Sequence, residues 1–129
     1  MTVKRLIAEG AIGKVLEYRG RGKEDSRGGG EDLWVLGTHV MDMIRALGGA
    51  PLSCFGYVTQ DNKPITKASV YDGEEGIGPL AGDAIRASYT MKDGSSAYFN
   101  SYRNTAGKPR RYGLTIYGSQ GIIELLEGA

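Results

Sequence analysis

The stretch EDLWVLGTHVMDMIRALGG sets Leu33, Leu36, Val40, Met43, Ile44 and Leu47 at steps of three and four residues, the strongest helical period in the chain. Asp32 reads as its N-cap and Gly48-Gly49 as its end. A helix with one apolar stripe must bury that stripe against another layer. Most of the remaining sequence has the period of strands, so the layer is a sheet.

Val3, Leu6 and Ile7 predict a short helix that stops at Gly10. Ala11 to Lys23 alternates as a strand, with Ile12, Lys14, Leu16 and Tyr18 on one side and Val15, Glu17, Arg19 and Arg21 on the other. PLSCFGYVTQ predicts another strand. DAIRASYTM and SAYFNSYRN flank KDGS, where Asp93-Gly94 predicts a tight hairpin with both central residues at positive φ. RYGLTIYGSQGIIELLEGA reads as two strands joined at Gly118-Ser119-Gln120-Gly121. The segment 61–82 has little periodicity and is long for a loop, so it is functional, mobile or conceals a short element. The expected fold is α+β: a mostly antiparallel, open-faced sheet of about five or six strands with two or three helices on one face. The 129 residues form one domain, 1–129.

So few helices cover one face only. Yet the later strands carry large residues on both sides: Ile85, Ala87, Tyr89 and Met91, and also Tyr98, Tyr102, Tyr112, Leu114 and Ile116. The uncovered face is therefore expected to meet another protein surface, most simply a second copy of the chain. The alternative is a half-exposed sheet whose tyrosines sit at the water boundary.

A net charge of +1 gives no sequence-wide field for nucleic acid or an anionic membrane. No run approaches the roughly 20 apolar residues of a membrane span, and the basic start lacks a cleavage pattern, so a cytoplasmic protein is expected. Cys54 stands alone, which excludes an internal disulfide, and reads as a small buried apolar residue.

For chemistry, His39 and Asp42 share a helix face, with Val35 on that face one turn earlier. A lone helical histidine is more often structural than catalytic, and no metal or nucleophile motif accompanies it. Gly28, Gly29 and Gly30 could offer backbone N–H groups to a phosphate, but Glu31 and Asp32 would repel one, so a flexible lead-in loop is the preferred reading.

The blocks GAIGKVLEYRGRGKE, RGGGEDLWVLGTHVMDMIRALGG, KDGSSAYFNSYR and LTIYGSQGIIEL, in this order and spacing, resemble the C-terminal domain of the glucose–fructose oxidoreductase, inositol dehydrogenase and rhizopine-catabolism (Gfo/Idh/MocA) family. The resemblance implies a substrate-binding and oligomerisation domain, paired with an N-terminal Rossmann domain for NAD(P) and acting on a sugar or polyol. It implies that His39, matching the histidine of D-x-G-x-H-x-x-D, is the general base or proton relay, with Gly37 and Asp42 at the matching glycine and later acid. Val35 stands where the family has its first acid, and valine can neither accept a hydrogen bond from the imidazole nor stabilise the imidazolium. Arg19, Arg21, Arg27 and Asp42 are the polar groups expected around a hydroxylated substrate. The chain starts at the family's domain boundary, so no cofactor is expected to bind to it alone. A non-catalytic association or ligand-binding module is the alternative.

Overall fold

The computed structural model describes residues 2–107 and 111–126. Helix α1 (Thr2–Ala8) leads into strand β1 (Val15–Arg21), followed by helices α2 (Gly30–Val35) and α3 (Gly37–Gly48). Strand β2 (Pro51–Gln60) comes next, then β3 (Lys63–Pro64), a 3-10 turn at Lys67–Ser69, β4 (Tyr71–Asp72) and β5 (Pro79–Leu80). The chain continues with β6 (Ala84–Met91), β7 (Ser96–Tyr102), β8 (Gly113–Gly118) and β9 (Ile122–Leu126).

Seven strands form one sheet in the order β3-β2-β6-β7-β1-β8-β9, and β4 and β5 make a separate two-stranded ribbon. The α+β class and the mostly antiparallel sheet agree with the sequence, with slightly more strands than expected. One pair departs from the antiparallel rule: β1 runs parallel to β7, with Arg19 beside Tyr98, and antiparallel to β8, with Arg19 beside Thr115.

The core lies between the sheet and α3. Val40 and Ile44 are buried with Tyr18, Ile85, Met91, Ala97, Phe99, Leu114 and Ile116, and Leu33, Met43 and Leu47 pack around them. Leu114, Ile116 and Tyr112 thus belong to the helix side, not to the open face. The Tyr112 hydroxyl donates to the Leu36 carbonyl at 3.1 Å. In β1 the ladder shifts register between Val15 and Glu17, so Leu16 is 50% exposed while Val15 packs on the core, the reverse of strict alternation.

The single helix expected over residues 32–47 is two, parted at Leu36. Gly37 presses on the sheet here: a Cβ would lie 2.5 Å from Phe99 Cζ and 3.0 Å from the Asp32 carbonyl. Phe99 is wholly buried and has no room to yield. Gly37→Ala is therefore expected to destabilise the domain by about 1–3 kcal/mol in urea unfolding. A change below about 0.5 kcal/mol would show that the α2–α3 joint shifts freely.

The hairpin is present, with a different turn. Gly94 N–H donates to Met91 O, Met91 N–H to Ser95 O, and of the two central residues only Gly94 has positive φ. This is a three-residue loop with a left-handed glycine, and Asp93 Oδ1 accepts from the N–H and hydroxyl of Ser95.

Cys54 is exposed, contrary to expectation. It sits on β2, which lies towards the edge of the sheet, whereas α3 packs over β1, β7 and β8. Sequence alternation in PLSCFGYV does not reveal where a strand stands relative to the helical layer. No helix among the described residues is long and apolar enough to cross a membrane.

Candidate functional site

Helix α3 buries Val40 and Ile44, which turns His39 and Asp42 to solvent, one turn apart on the same face. The His39 backbone N–H donates to Leu36 O at 3.2 Å, which fixes the first turn. Val35 is half-buried beside the joint, and its carbonyl accepts from Thr38 Oγ1 at 3.3 Å. His39 is thus held by a rigidly seated helix with its ring accessible.

The arginines expected near it lie elsewhere. Tyr18 and Gly20 of β1 face α3, so Arg19 and Arg21 project from the opposite face of the sheet. There Arg19 donates to both carboxylate oxygens of Glu17, at 3.0 and 3.2 Å, and stacks 4.4 Å above the Tyr98 ring. Arg21 pairs with Glu24 at 3.3 Å and faces Tyr102. Arg27 occupies a third place, bridging Asp25 at 2.6 Å and Glu75 at 2.7 Å. The structure therefore groups His39 with Asp42, groups Arg19 with Arg21, and leaves Arg27 tying the glycine loop to Glu75.

The glycine loop is built into the domain. Gly28 N–H donates to Asp25 O, Gly30 N–H to Gly82 O, and Gly29 N–H to Ser101 Oγ. With all three donors committed, this run does not fit a dinucleotide phosphate. Asp32, expected as an N-cap, is instead 0% exposed inside α2. Its carboxylate accepts from Lys23 N, Glu24 N and, at 2.6 Å, Ser101 Oγ. Neighbouring Glu24 is also buried, and takes the Tyr102 N–H, the Thr105 hydroxyl and the guanidinium groups of Arg21 and Arg111. Glu31 accepts the Glu75 N–H at 2.8 Å. Asp32 and Glu24 hold the start of the helical layer onto the ends of β1 and β7, and Glu31 ties it to the loop at Glu75. The sequence signal for Glu31 and Asp32 is their place directly between a glycine run and an apolar stripe; Glu24, before the run, has no such signal.

Hydrogen bonds from Arg27 hold the Asp25 carboxyl below its ordinary value, and the same contacts raise the Arg27 guanidinium. A carboxyl whose folded value is depressed adds stability above its unfolded value near 4, and that stability is lost as pH falls through the lower folded value. Asp25→Asn is accordingly expected to flatten the acid limb of a stability–pH curve below about pH 4. An unchanged limb would mean that the Arg27 contact opens in solution. Among the described residues no group of three or more His, Cys, Asp or Glu is placed to hold a metal ion.

Residues 1–124 match the family described as GFO/IDH/MocA C-terminal domain. Comparison with curated protein sequences gives no match. Among solved structures, levoglucosan dehydrogenase in complex with NADH and L-sorbose is 24% identical with a TM-score of 0.68, over 95% of this chain and 36% of that one. Apo scyllo-inositol dehydrogenase from Lactobacillus casei is 16% identical with a TM-score of 0.62, over 96% of this chain and 36% of the other. The WlbA dehydrogenase from Bordetella pertussis, in complex with NADH and UDP-GlcNAcA, is 18% identical with a TM-score of 0.63, over 95% and 38%. The chain thus spans little more than a third of the length of these structures.

Proposed function

The chain belongs to the GFO/IDH/MocA oxidoreductase family through its C-terminal domain, and on that premise we propose that it is the substrate-binding and oligomerisation domain of an NAD(P)-dependent oxidoreductase acting on a sugar or polyol. The observation that carries this reading is His39, exposed with Asp42 on a helix whose other face is locked into the sheet. NADH in two of the structures described above, one with L-sorbose and one with a nucleotide sugar, supports the cofactor and substrate class.

The dinucleotide belongs to a nucleotide-binding domain joined in cis or in trans, because the glycine run here has no free N–H donors for it. This chain's share of the chemistry is the proton. When a carbinol becomes a carbonyl, the hydroxyl proton needs an acceptor, and a ring nitrogen of the accessible His39 provides one. Asp42, one turn along, is placed to accept a hydrogen bond from a substrate hydroxyl or from the imidazole. The test is an enzyme reassembled with a family nucleotide-binding domain and assayed on sugars and polyols with NAD and NADP; absence of turnover on all of them would overturn the reading.

Val35 shapes the expected efficiency. Among the described residues no carboxylate is hydrogen-bonded to His39, and on the preceding turn, where the family has its first acid, stands Val35. Val35→Asp in the reassembled enzyme is expected to raise kcat about tenfold. An unchanged or lower rate would show that Asp42 or another group already fills that role. The same valine is what favours the second reading, a non-catalytic association module in which α3 only packs.

A further inference from the structure

Helix α3 packs over β1, β7 and β8, so β6 runs on beyond the edge of the helical layer. The chain leaves the helix at Gly49, whose φ of +81° allows a sharp turn, and enters β2 at Pro51, beside the end of β6 at Met91. The helix flank, the turn and the strand together bound a cavity of about 190 Å³, lined by Met41, Ile44, Arg45, Pro51, Tyr89 and Met91. Ile44 and Met91 are buried at its floor. A void with so few polar groups gives water too few partners, so an apolar group displaces water from it at a gain. Its two methionines reshape readily around a guest.

Two donors stand at this cavity. The Tyr89 hydroxyl donates to Met41 Sδ at 3.9 Å, and a thioether is only a weak acceptor. Arg45 follows Met41 by one turn on the same side of α3. It is exposed and has no ion-pair partner among the described residues; Asp42, three residues back, does not pair with it. A guanidinium and a phenol beside an apolar floor select a ligand of the opposite layout, with an anionic head that accepts from both and an apolar tail. Size limits the tail. An apolar cavity of about 150 Å³ holds a benzene ring, so this one takes a single aromatic ring and excludes a long acyl chain.

We propose that this cavity binds a small apolar carboxylate, a monocarboxylic acid with one aromatic ring, whose head is held by Arg45 and Tyr89 Oη and whose ring sits between Met41 and Met91. Met41 is two residues on from His39, which places it on the opposite side of the helix. The site is therefore separate from the proton-transfer role of His39 and does not depend on it.

The experiment is titration of the 129-residue chain with hydrocinnamate, followed by NMR of its methionine methyl groups, with circular dichroism to verify that each variant folds. Met43, on the other flank of α3, is the internal control. The Met41 and Met91 methyl signals are expected to shift and saturate with a Kd of about 0.1–1 mM while Met43 stays in place. The neutral amide of the same acid is expected to bind about tenfold more weakly. Arg45→Gln is expected to weaken the acid by about tenfold and to leave the amide within about twofold of its parent value, and Tyr89→Phe to weaken the acid by about threefold. Absence of saturable shifts at Met41 and Met91 up to about 10 mM, or equal shifts at Met43, overturns the site. Equal affinity for acid and amide, or an Arg45→Gln variant that binds the acid as well as the parent does, overturns the carboxylate assignment.

Discussion

Asp32→Ala is expected to remove about 3–4 kcal/mol of stability, a large share of the roughly 5–15 kcal/mol available to a domain of this size. The carboxylate is 0% exposed and accepts from two backbone N–H groups and the Ser101 hydroxyl. Alanine strands all three donors where water has little access, and each stranded buried group costs about 1–3 kcal/mol. The total falls below the sum because the hydroxyl can rotate and a water can enter the vacated space. Asp32→Asn keeps one acceptor oxygen but turns an NH2 group towards donors, so it should fall between the alanine variant and the parent. Urea unfolding followed by circular dichroism measures all three. A loss under about 1 kcal/mol for the alanine variant would mean that the loop carrying Lys23 and Glu24 re-pairs its N–H groups without Asp32.

The second large effect belongs to catalysis. His39→Ala in the reassembled enzyme is expected to lower kcat by about 10²–10⁴-fold, the range associated with losing a positioned acid–base group. His39 is exposed and its side chain makes no hydrogen bond among the described residues, so the substitution should move stability by no more than about 0.5 kcal/mol. That separation makes the rate interpretable. A proton-transfer role also predicts that exogenous imidazole restores part of the activity, which a packing role would not. An unchanged hydride-transfer rate would favour the non-catalytic reading.

What the sequence discloses about this domain follows from the range of the interactions. The stripe through Leu33, Val40, Ile44 and Leu47 is legible because helical periodicity is local, and the hairpin at Asp93-Gly94 is legible because turn chemistry is local. The break at Leu36 is not, since it comes from Gly37 meeting Phe99, a contact across more than sixty positions. The buried roles of Asp32 and Glu24 are hidden for the same reason, with partners at Ser101, Tyr102 and Thr105. Arg19 and Arg21 alternate correctly as the outward side of a strand. The identity of that side, the open face rather than the face under α3, depends on which surface of the sheet the helices choose. In segment 61–82 the concealed elements are strands of two residues and a single 3-10 turn, too short to leave a period.

The parallel pairing of β1 with β7 also governs when the fold can exist. A strand made from residues 15–21 finds its neighbours only at 96–102 and 113–118, so about eighty residues must emerge before the middle of the sheet can close. Contacts of such sequence separation slow the search, because loop closure is unfavourable until the pairing that rewards it is made. During synthesis α3 therefore displays Val40 and Ile44 with no floor beneath them. Until those strands emerge the stripe is open to non-native apolar contacts, the exposure that makes chains with late sheet closure prone to association.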